Sequence, residues 1–177
     1  MKKDWRYSCY PFMREKSCLV DYEIRTDSLT TSVGAVFDHL TKKEQRVIDD
    51  LRVIQPLCYH ANGSVRGKLA MTDEDLQWLS DVYDDYVKLT GDTTKQFVLP
   101  QGNGAASALH IARSDAKKSY RALHKVSEER EVPEILFSFL GLLANVCFVM
   151  AVYINQINGI VEIPFESKSY PLKKLGN

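Results

Sequence analysis

The feature that most limits the fold of this chain is a long stretch without charge near its C-terminus. No charged residue occurs from Ile135 to Val161. A stretch of this length can cross a bilayer, which needs about 20 apolar positions, or can form a helix that is buried on every side within a bundle. Its four side-chain amides would be costly in lipid without partners, which favours the buried helix and leaves a membrane span as the minor alternative. They are Asn145, Asn155, Gln156 and Asn158.

Four amphipathic segments precede this stretch, and each needs an apolar surface to pack against. The first begins near Asp27, whose carboxylate can accept from the free amides of a first helical turn. Thr41 and Glu44 have the spacing of a capping box and open the second. Pro56 is expected to bend or break that helix, and residues 62–64 then form a loop.

The third and fourth helices have clearer ends. Thr72 repeats the capping signature with Asp75, and Gly91 ends the third helix. The fourth runs from about Ala105 to Lys125, and the fifth begins near Pro133 and contains the uncharged stretch. Five helices with short connections and no strand pattern predict an all-α fold, an antiparallel five-helix bundle.

Composition shifts divide the chain into three parts. Residues 1–22 are rich in aromatic and basic residues without periodicity and form an arm that packs on another surface. Residues 23–162 form the helical bundle, and residues 163–177, with Pro164 and Pro171, form a short irregular tail.

The charge balance argues against nucleic acid as a partner. Lys plus Arg number 23 and Asp plus Glu number 23, so no basic field gathers phosphate backbones. The four cysteines show no CxxC spacing and nothing at the start resembles a signal peptide, which predicts reduced thiols and a cytoplasmic protein. Cys58 and His60 could both bind a metal, but no second ligand pair lies nearby, and no metal site is predicted.

Two motifs in one register carry a family resemblance. Residues 97–102 read Phe-Val-Leu-Pro-Gln-Gly and residues 105–113 read Ala-Ala-Ser-Ala-Leu-His-Ile-Ala-Arg. They resemble the signature of ATP:cob(I)alamin adenosyltransferases of the propanediol-utilisation type, Phe-Ile-Leu-Pro-Gly-Gly followed by Ala-Leu-His-x-Ala-Arg. Residues 26–34, Thr-Asp-Ser-Leu-Thr-Thr-Ser-Val-Gly, are similar to the family's Thr-x-Asp-Glu-Leu-Asn-Ser-x-Ile-Gly. The resemblance covers about residues 20–160.

The resemblance implies a homotrimer of five-helix bundles in which ATP and a corrinoid such as cobalamin meet at the subunit interface. Phe97 matches the aromatic residue that crowds the lower face of the corrin and helps to remove its lower axial ligand. Asp27 and Arg113 match an ion pair across the subunit boundary beside the active site, and His110 matches the motif histidine. The catalytic residues implied are therefore Phe97, Asp27 and Arg113.

The nucleotide side departs from the family pattern. The family's glycine-containing N-terminal loop has no counterpart between Asp4 and Tyr22, which contains no glycine. The family's Arg-Arg-Ala-Glu-Arg becomes residues 117–121, in which Lys117, Lys118 and Arg121 still offer cationic phosphate contacts. The family's Asn-Arg-x-Ser-Asp becomes residues 141–145, Gly-Leu-Leu-Ala-Asn. ATP is therefore expected to bind weakly.

Three functions remain open on the sequence. The first is a corrinoid-binding protein of this family, with adenosyl transfer doubtful. The second is an active adenosyltransferase with a rearranged ATP site, for which ATP and Mg²⁺ would be needed. The third is a structural or partner-binding bundle without a ligand.

Overall fold

The structure, a computed structural model, describes residues 5–169. It contains five long helices, which confirms the all-α fold, and within the described residues the extended pairing amounts to one isolated antiparallel bridge between Val98 and Pro164. The helices are α1 (Cys18–Val36), α2 (Gln45–Ser64), α3 (Asp73–Thr90), α4 (Gly104–Val126) and α5 (Glu134–Ile157). Short 3₁₀ turns lie at Trp5–Tyr7, Phe37–His39, Lys42–Glu44 and Gly91–Lys95.

Each helix packs beside its neighbours in the spatial order α2, α1, α4, α5, α3. In α1 and α4, Ser32 Oγ donates to Asp115 Oδ2 at 2.6 Å, while the start of α4 at Gly104 lies against His39, so the two helices are antiparallel. The pairs α1/α2 and α4/α5 are antiparallel as well. In contrast, α3 and α5 run in the same direction, since Gln156 at the end of α5 bonds to Leu89 O at the end of α3.

Helix α5 lies between α4 and α3 and is largely buried, but it is not covered on every side, because Asn145 is exposed. It is long and apolar enough to cross a membrane by length and composition, and most of its most apolar part is buried against α3 and α4. Alanines at 105, 108, 112 and 116 of α4 are buried and allow close helix approach. At the end of α5 the amides have protein partners: Gln156 Nε2 donates to Leu89 O at 3.2 Å and Asn158 Nδ2 donates to Glu44 Oε1 at 3.1 Å.

Helix α1 begins earlier than the sequence predicts. It starts at Cys18 rather than near Asp27, and its N-cap is Ser17, whose Oγ accepts from Leu19 N at 3.1 Å. Glu129, beyond the end of α4, completes the cap by accepting from Cys18 N at 3.0 Å and from Ser17 Oγ at 2.7 Å. The helix therefore begins inside the segment that the sequence assigns to the arm.

Pro56, which the sequence predicts will bend or break the second helix, does not break it. Helix α2 continues through Pro56 to Ser64. Proline removes the N–H that would bond the carbonyl of Arg52, but both residues are exposed, so that water can satisfy this carbonyl. Asn62 lies in the helix rather than in a loop, and its Nδ2 donates to Glu23 O at 2.7 Å and to Thr26 Oγ1 at 2.6 Å.

Other predicted ends agree with the structure. Capping boxes form at Thr41 and Thr72, although the first opens the 3₁₀ turn that leads into α2. Gly91 follows α3 with φ of 58°, a conformation that favours glycine. Helices α4 and α5 begin within one residue of their predicted starts.

The burial of one side of α5 predicts unequal effects of two substitutions on the same helix. Leu143 is fully buried, so Leu143→Ala should lower the free energy of unfolding by about 2–5 kcal/mol through lost burial and a cavity. Asn145 is exposed, and Asn145→Ala should change it by less than about 0.5 kcal/mol. Urea unfolding of the two variants compares them, and equal small effects would contradict the burial of Leu143 in the core.

Candidate functional site

The loop that carries Phe97 lies over the C-terminal end of α5. Asn103 ends it as the N-cap of α4, accepting from Ala106 N at 2.9 Å. Gly102 has φ of 152° and a Cβ there would overlap the side chain of Asn155 on α5, so only glycine allows this approach. Phe97 is 66% exposed.

The C-terminal tail pairs with this loop. Phe165 N donates to Phe97 O at 2.8 Å, and Leu99 N donates to Ile163 O at 2.9 Å. Side chains alternate between faces in extended chains, so the buried Val98 points inward while its neighbours point out. We call the outward set the apolar end surface, and all of its members are exposed: Phe97, Leu99, Ile163 and Phe165.

His110 and Arg113 lie one turn apart on α4 and face α5. The guanidinium of Arg113 lies 5.2 Å from the ring centre of Phe148, and the His110 ring lies 6.4 Å from it. His110 is buried and neither ring nitrogen has a hydrogen-bond partner. Burial, and then the charge of Arg113, lower the pKa of His110 to about 4, so that its imidazole is neutral at neutral pH.

Lys117, Lys118 and Arg121, further along α4, line one cleft between α4 and α1. Its lining has five cationic side chains and one carboxylate, and its volume is about 310 Å³. Lys118 Nζ also pairs with Asp115 Oδ1 at 2.8 Å. Burial lowers the pKa of Lys117, and the nearby charge of Arg113 adds to this effect. The charged lining consists of Arg25, Lys117, Lys118, Arg121, Lys125 and Asp21.

Asp27 and Arg113 are not partners within one chain. Asp27 lies on the side of α1 that faces α2, where its Oδ1 accepts from Tyr59 Oη at 2.8 Å. Arg113 lies on the side of α4 that faces α5. From the rise of about 1.5 Å per residue, Arg113 lies roughly 14 Å along α4 from the Phe97 loop. The chain therefore brings Lys117, Lys118 and Arg121 together, and leaves Asp27 on another face.

Arg66 is a residue that the sequence reasoning missed. Its guanidinium lies 3.8 Å from the ring centre of Phe12, donates to Glu15 Oε2 at 2.8 Å, and donates through Nε to Glu23 Oε1 at 2.7 Å. Burial and a hydrogen bond to Glu23 raise the pKa of Tyr10 to about 12. Residues 10–15 of the arm thus pack on α1 and on the turn after α2 of their own chain. No periodicity or motif marks Arg66, because its partners are distant in sequence.

Cys58 and His60 differ in exposure. Cys58 is buried in the core and His60 is exposed, so the two side chains lie on different sides of α2. Among residues 5–169, the structure shows no group of three or more His, Cys, Asp or Glu side chains suited to a metal ion.

Comparison with known proteins shows which family the chain belongs to. The family model for cobalamin adenosyltransferase matches residues 13–154, which include α1 to α4 and most of α5. This chain belongs to the cobalamin adenosyltransferase family. A corrinoid adenosyltransferase of Bacillus subtilis (strain 168) is 25% identical over 147 residues, which cover 79% of this chain and 76% of that protein.

Solved structures share the fold of this family member. A phenylalanine-to-alanine variant of the PduO-type ATP:corrinoid adenosyltransferase from Lactobacillus reuteri, complexed with cobalamin and ATP, has a TM-score of 0.78 at 21% identity, covering 86% of this chain and 88% of that one. An arginine-to-lysine variant of the Lactobacillus reuteri enzyme, complexed with ATP, has a TM-score of 0.78 at 22% identity, with coverages of 85% and 88%.

The buried neutral His110 predicts a loss of stability in mild acid. Its pKa is about 4 in the folded chain and about 6.5 when unfolded. The unfolded chain therefore binds the proton more tightly, and stability that is full above pH 6.5 falls as the pH drops towards 4. His110→Phe removes this titration and should reduce the loss by roughly 2 kcal/mol. Urea unfolding at pH 7.5 and 4.5 measures it, and parallel losses in the parent and the variant would contradict the assignment.

Proposed function

We propose that this protein binds a corrinoid against the apolar end surface, at a boundary between two copies of the chain. The supporting observation is the exposure of Phe97 in a loop that carries the family motif and is hydrogen-bonded to the tail. A single exposed aromatic residue is common on protein surfaces. Here four apolar side chains point the same way from two paired segments, which suits one face of a flat macrocycle.

Phe97 has a chemical role in this proposal. An aromatic ring against the lower face of the corrin occupies the place of the lower axial ligand and favours four-coordinate cobalt. Four-coordinate cobalt is more easily reduced to the nucleophilic Co(I) state. The apolar neighbours of Phe97 exclude water from this face, so that a water molecule does not replace the lost ligand.

A second copy of the chain completes the site. Asp27 and Arg113 lie on different faces of one bundle, so the ion pair that the family motif implies needs two copies. A closed ring of three copies uses this contact three times. We infer that the protein is a homotrimer in which Arg113 of one copy meets Asp27 of the next.

The corrinoid proposal predicts that Phe97→Ala weakens hydroxocobalamin binding by about tenfold or more, because a buried aromatic contact is lost. Titration followed by the corrin absorption spectrum measures the affinity. Tyr7→Ala, which removes another exposed aromatic ring in the arm, is the matched control and should bind like the parent. A parent protein that produces no spectral change at tens of micromolar cobalamin would reject this function and leave a bundle without a ligand.

The trimer proposal predicts the outcome of a charge exchange. Asp27→Arg and Arg113→Asp should each place like charges at the contact and lower the mass in solution from three times 20.2 kDa. The double variant, with the charges exchanged, should recover the trimer. Light scattering with size exclusion measures the mass. A double variant no larger than the single variants would contradict the pairing.

Adenosyl transfer from ATP to the Co(I) corrinoid is the second candidate function, and the cationic cleft of α4 favours it. Lys117, Lys118 and Arg121 remain together beside Arg25, although the sequences of the N-terminal segment and of α5 depart from the family. In the Lactobacillus reuteri enzyme, the substituted phenylalanine and arginine are separated by as many residues as Phe97 and Lys117 are here. The variant with lysine at that place is complexed with ATP.

The residues of this chain would assist the transfer as follows. The Co(I) electron pair forms a bond to the ribose 5′-carbon, and the bond from that carbon to oxygen breaks, so that triphosphate leaves with the electron pair. Positive side chains in the cleft stabilise the charge that develops on the triphosphate. Lysine acts there as a point charge and not as a bidentate fork, which predicts a high KM for MgATP.

This second function predicts that Lys117→Ala combined with Arg121→Ala raises the KM for ATP by about a hundredfold, because two charge-assisted contacts are lost. Adenosylcobalamin formation is measured spectroscopically with cobalamin, a strong reductant, Mg²⁺ and ATP. Lys88→Ala, an exposed lysine on α3, is the control. Absence of product from the parent at millimolar ATP would reject transferase activity and leave corrinoid binding intact.

A further inference from the structure

A buried polar cluster lies directly beneath the loop that carries Phe97. Its centre is Asn155, which is fully buried on the last turn of α5. The same Nδ2 group donates to Gln101 O in the loop at 2.9 Å and to Glu162 Oε1, directly before the tail, at 2.8 Å. One amide group therefore joins three parts of the molecule: the loop, the core helix and the tail.

The tail is fixed to α5 at the same point. Ile160 N donates to Asn155 O at 2.9 Å, which turns the chain back towards the loop. From there, Ile163 and Phe165 make their main-chain bonds to Leu99 and Phe97. The tail thus holds the loop along one edge, while the Asn155 side chain holds it from below.

The cluster keeps two acceptors without donors. Asn155 Oδ1 and Glu162 Oε2 are buried and have no hydrogen-bond partner. Burial raises the pKa of Glu162, although the bond from Asn155 opposes this effect. Leaving buried acceptors unpaired destabilises a fold. The cluster keeps this cost while the Asn155 amide bonds the loop and Glu162 at once, which fits a role in placing the loop.

We propose that Asn155 and Glu162 are positioning residues that fix the loop and the tail to one another, and so set where Phe97 stands relative to a bound corrinoid. The corrinoid part rests on the function proposed above. The placement of the loop does not, and it can be measured without any ligand.

The test compares Glu162→Ala with the conservative Glu162→Gln in the full chain. Glu162→Ala removes the acceptor of the Asn155 amide, whereas Glu162→Gln keeps an acceptor oxygen there. Hydrogen–deuterium exchange followed by mass spectrometry measures the protection of the Leu99 and Phe165 amides, which make the loop–tail bonds. Glu162→Ala should speed their exchange about fivefold or more, with the amides of α1 and α2 unchanged, and Glu162→Gln should restore protection. Unchanged exchange in Glu162→Ala would overturn the proposal.

A second readout separates this proposal from the proposed function. If the parent binds hydroxocobalamin, Glu162→Ala should weaken that binding and alter the corrin spectrum of the complex, and Glu162→Gln should restore both. Equal affinity and an equal spectrum in all three proteins would overturn the role in placing Phe97. If the parent binds no corrinoid, the proposed function fails, and the exchange experiment still decides whether Asn155 and Glu162 hold the loop.

Discussion

The rest of the structure depends on burying α5 between α3 and α4. An uncharged helix gains stability from the part of its apolar surface that other helices cover. Helix α4, with its buried alanines, covers one side closely and α3 covers another. Because α3 and α5 are parallel, the 91–103 connection must pass over the end of α5. The loop that carries the family motif is therefore placed by the packing of the core.

The end of α5 provides the polar groups that such a crossing needs. A loop that passes over a buried helix end has main-chain carbonyls and amides that need partners away from water. The amide of Asn155 donates to the loop, and that of Gln156 donates to α3. The amide of Asn158 donates to the turn before α2. The same amides that disfavoured a membrane span in the sequence thus have specific structural roles. Asn145, which is exposed in the single chain, lies outside this group.

Periodicity and capping signals predicted the helical class and most helix ends, because these signals depend on local spacing. The errors arose where a distant residue decides the outcome. The start of α1 depends on Glu129, which is far from Ser17 in sequence. The pairing of the tail with the Phe97 loop leaves no alternating pattern of apolar and polar residues in the sequence. Helix α2 continues through Pro56 because residues before and after it pack in the core. The motif located the Phe97 loop and the α4 cations, but sequence spacing could not show that Asp27 lies on a different face.

Arg66 holds part of the arm against the folded chain, and this contact changes the entropy cost of ligand binding. A flexible segment that closes over a ligand loses conformational entropy when it does so, about 1–2 kcal/mol for each backbone residue. In this chain the stacking of Arg66 on Phe12 and its bonds to Glu15 order that segment during folding. Association with a small molecule then carries no ordering penalty from residues 12–15, and it also gains nothing from their wrapping around it.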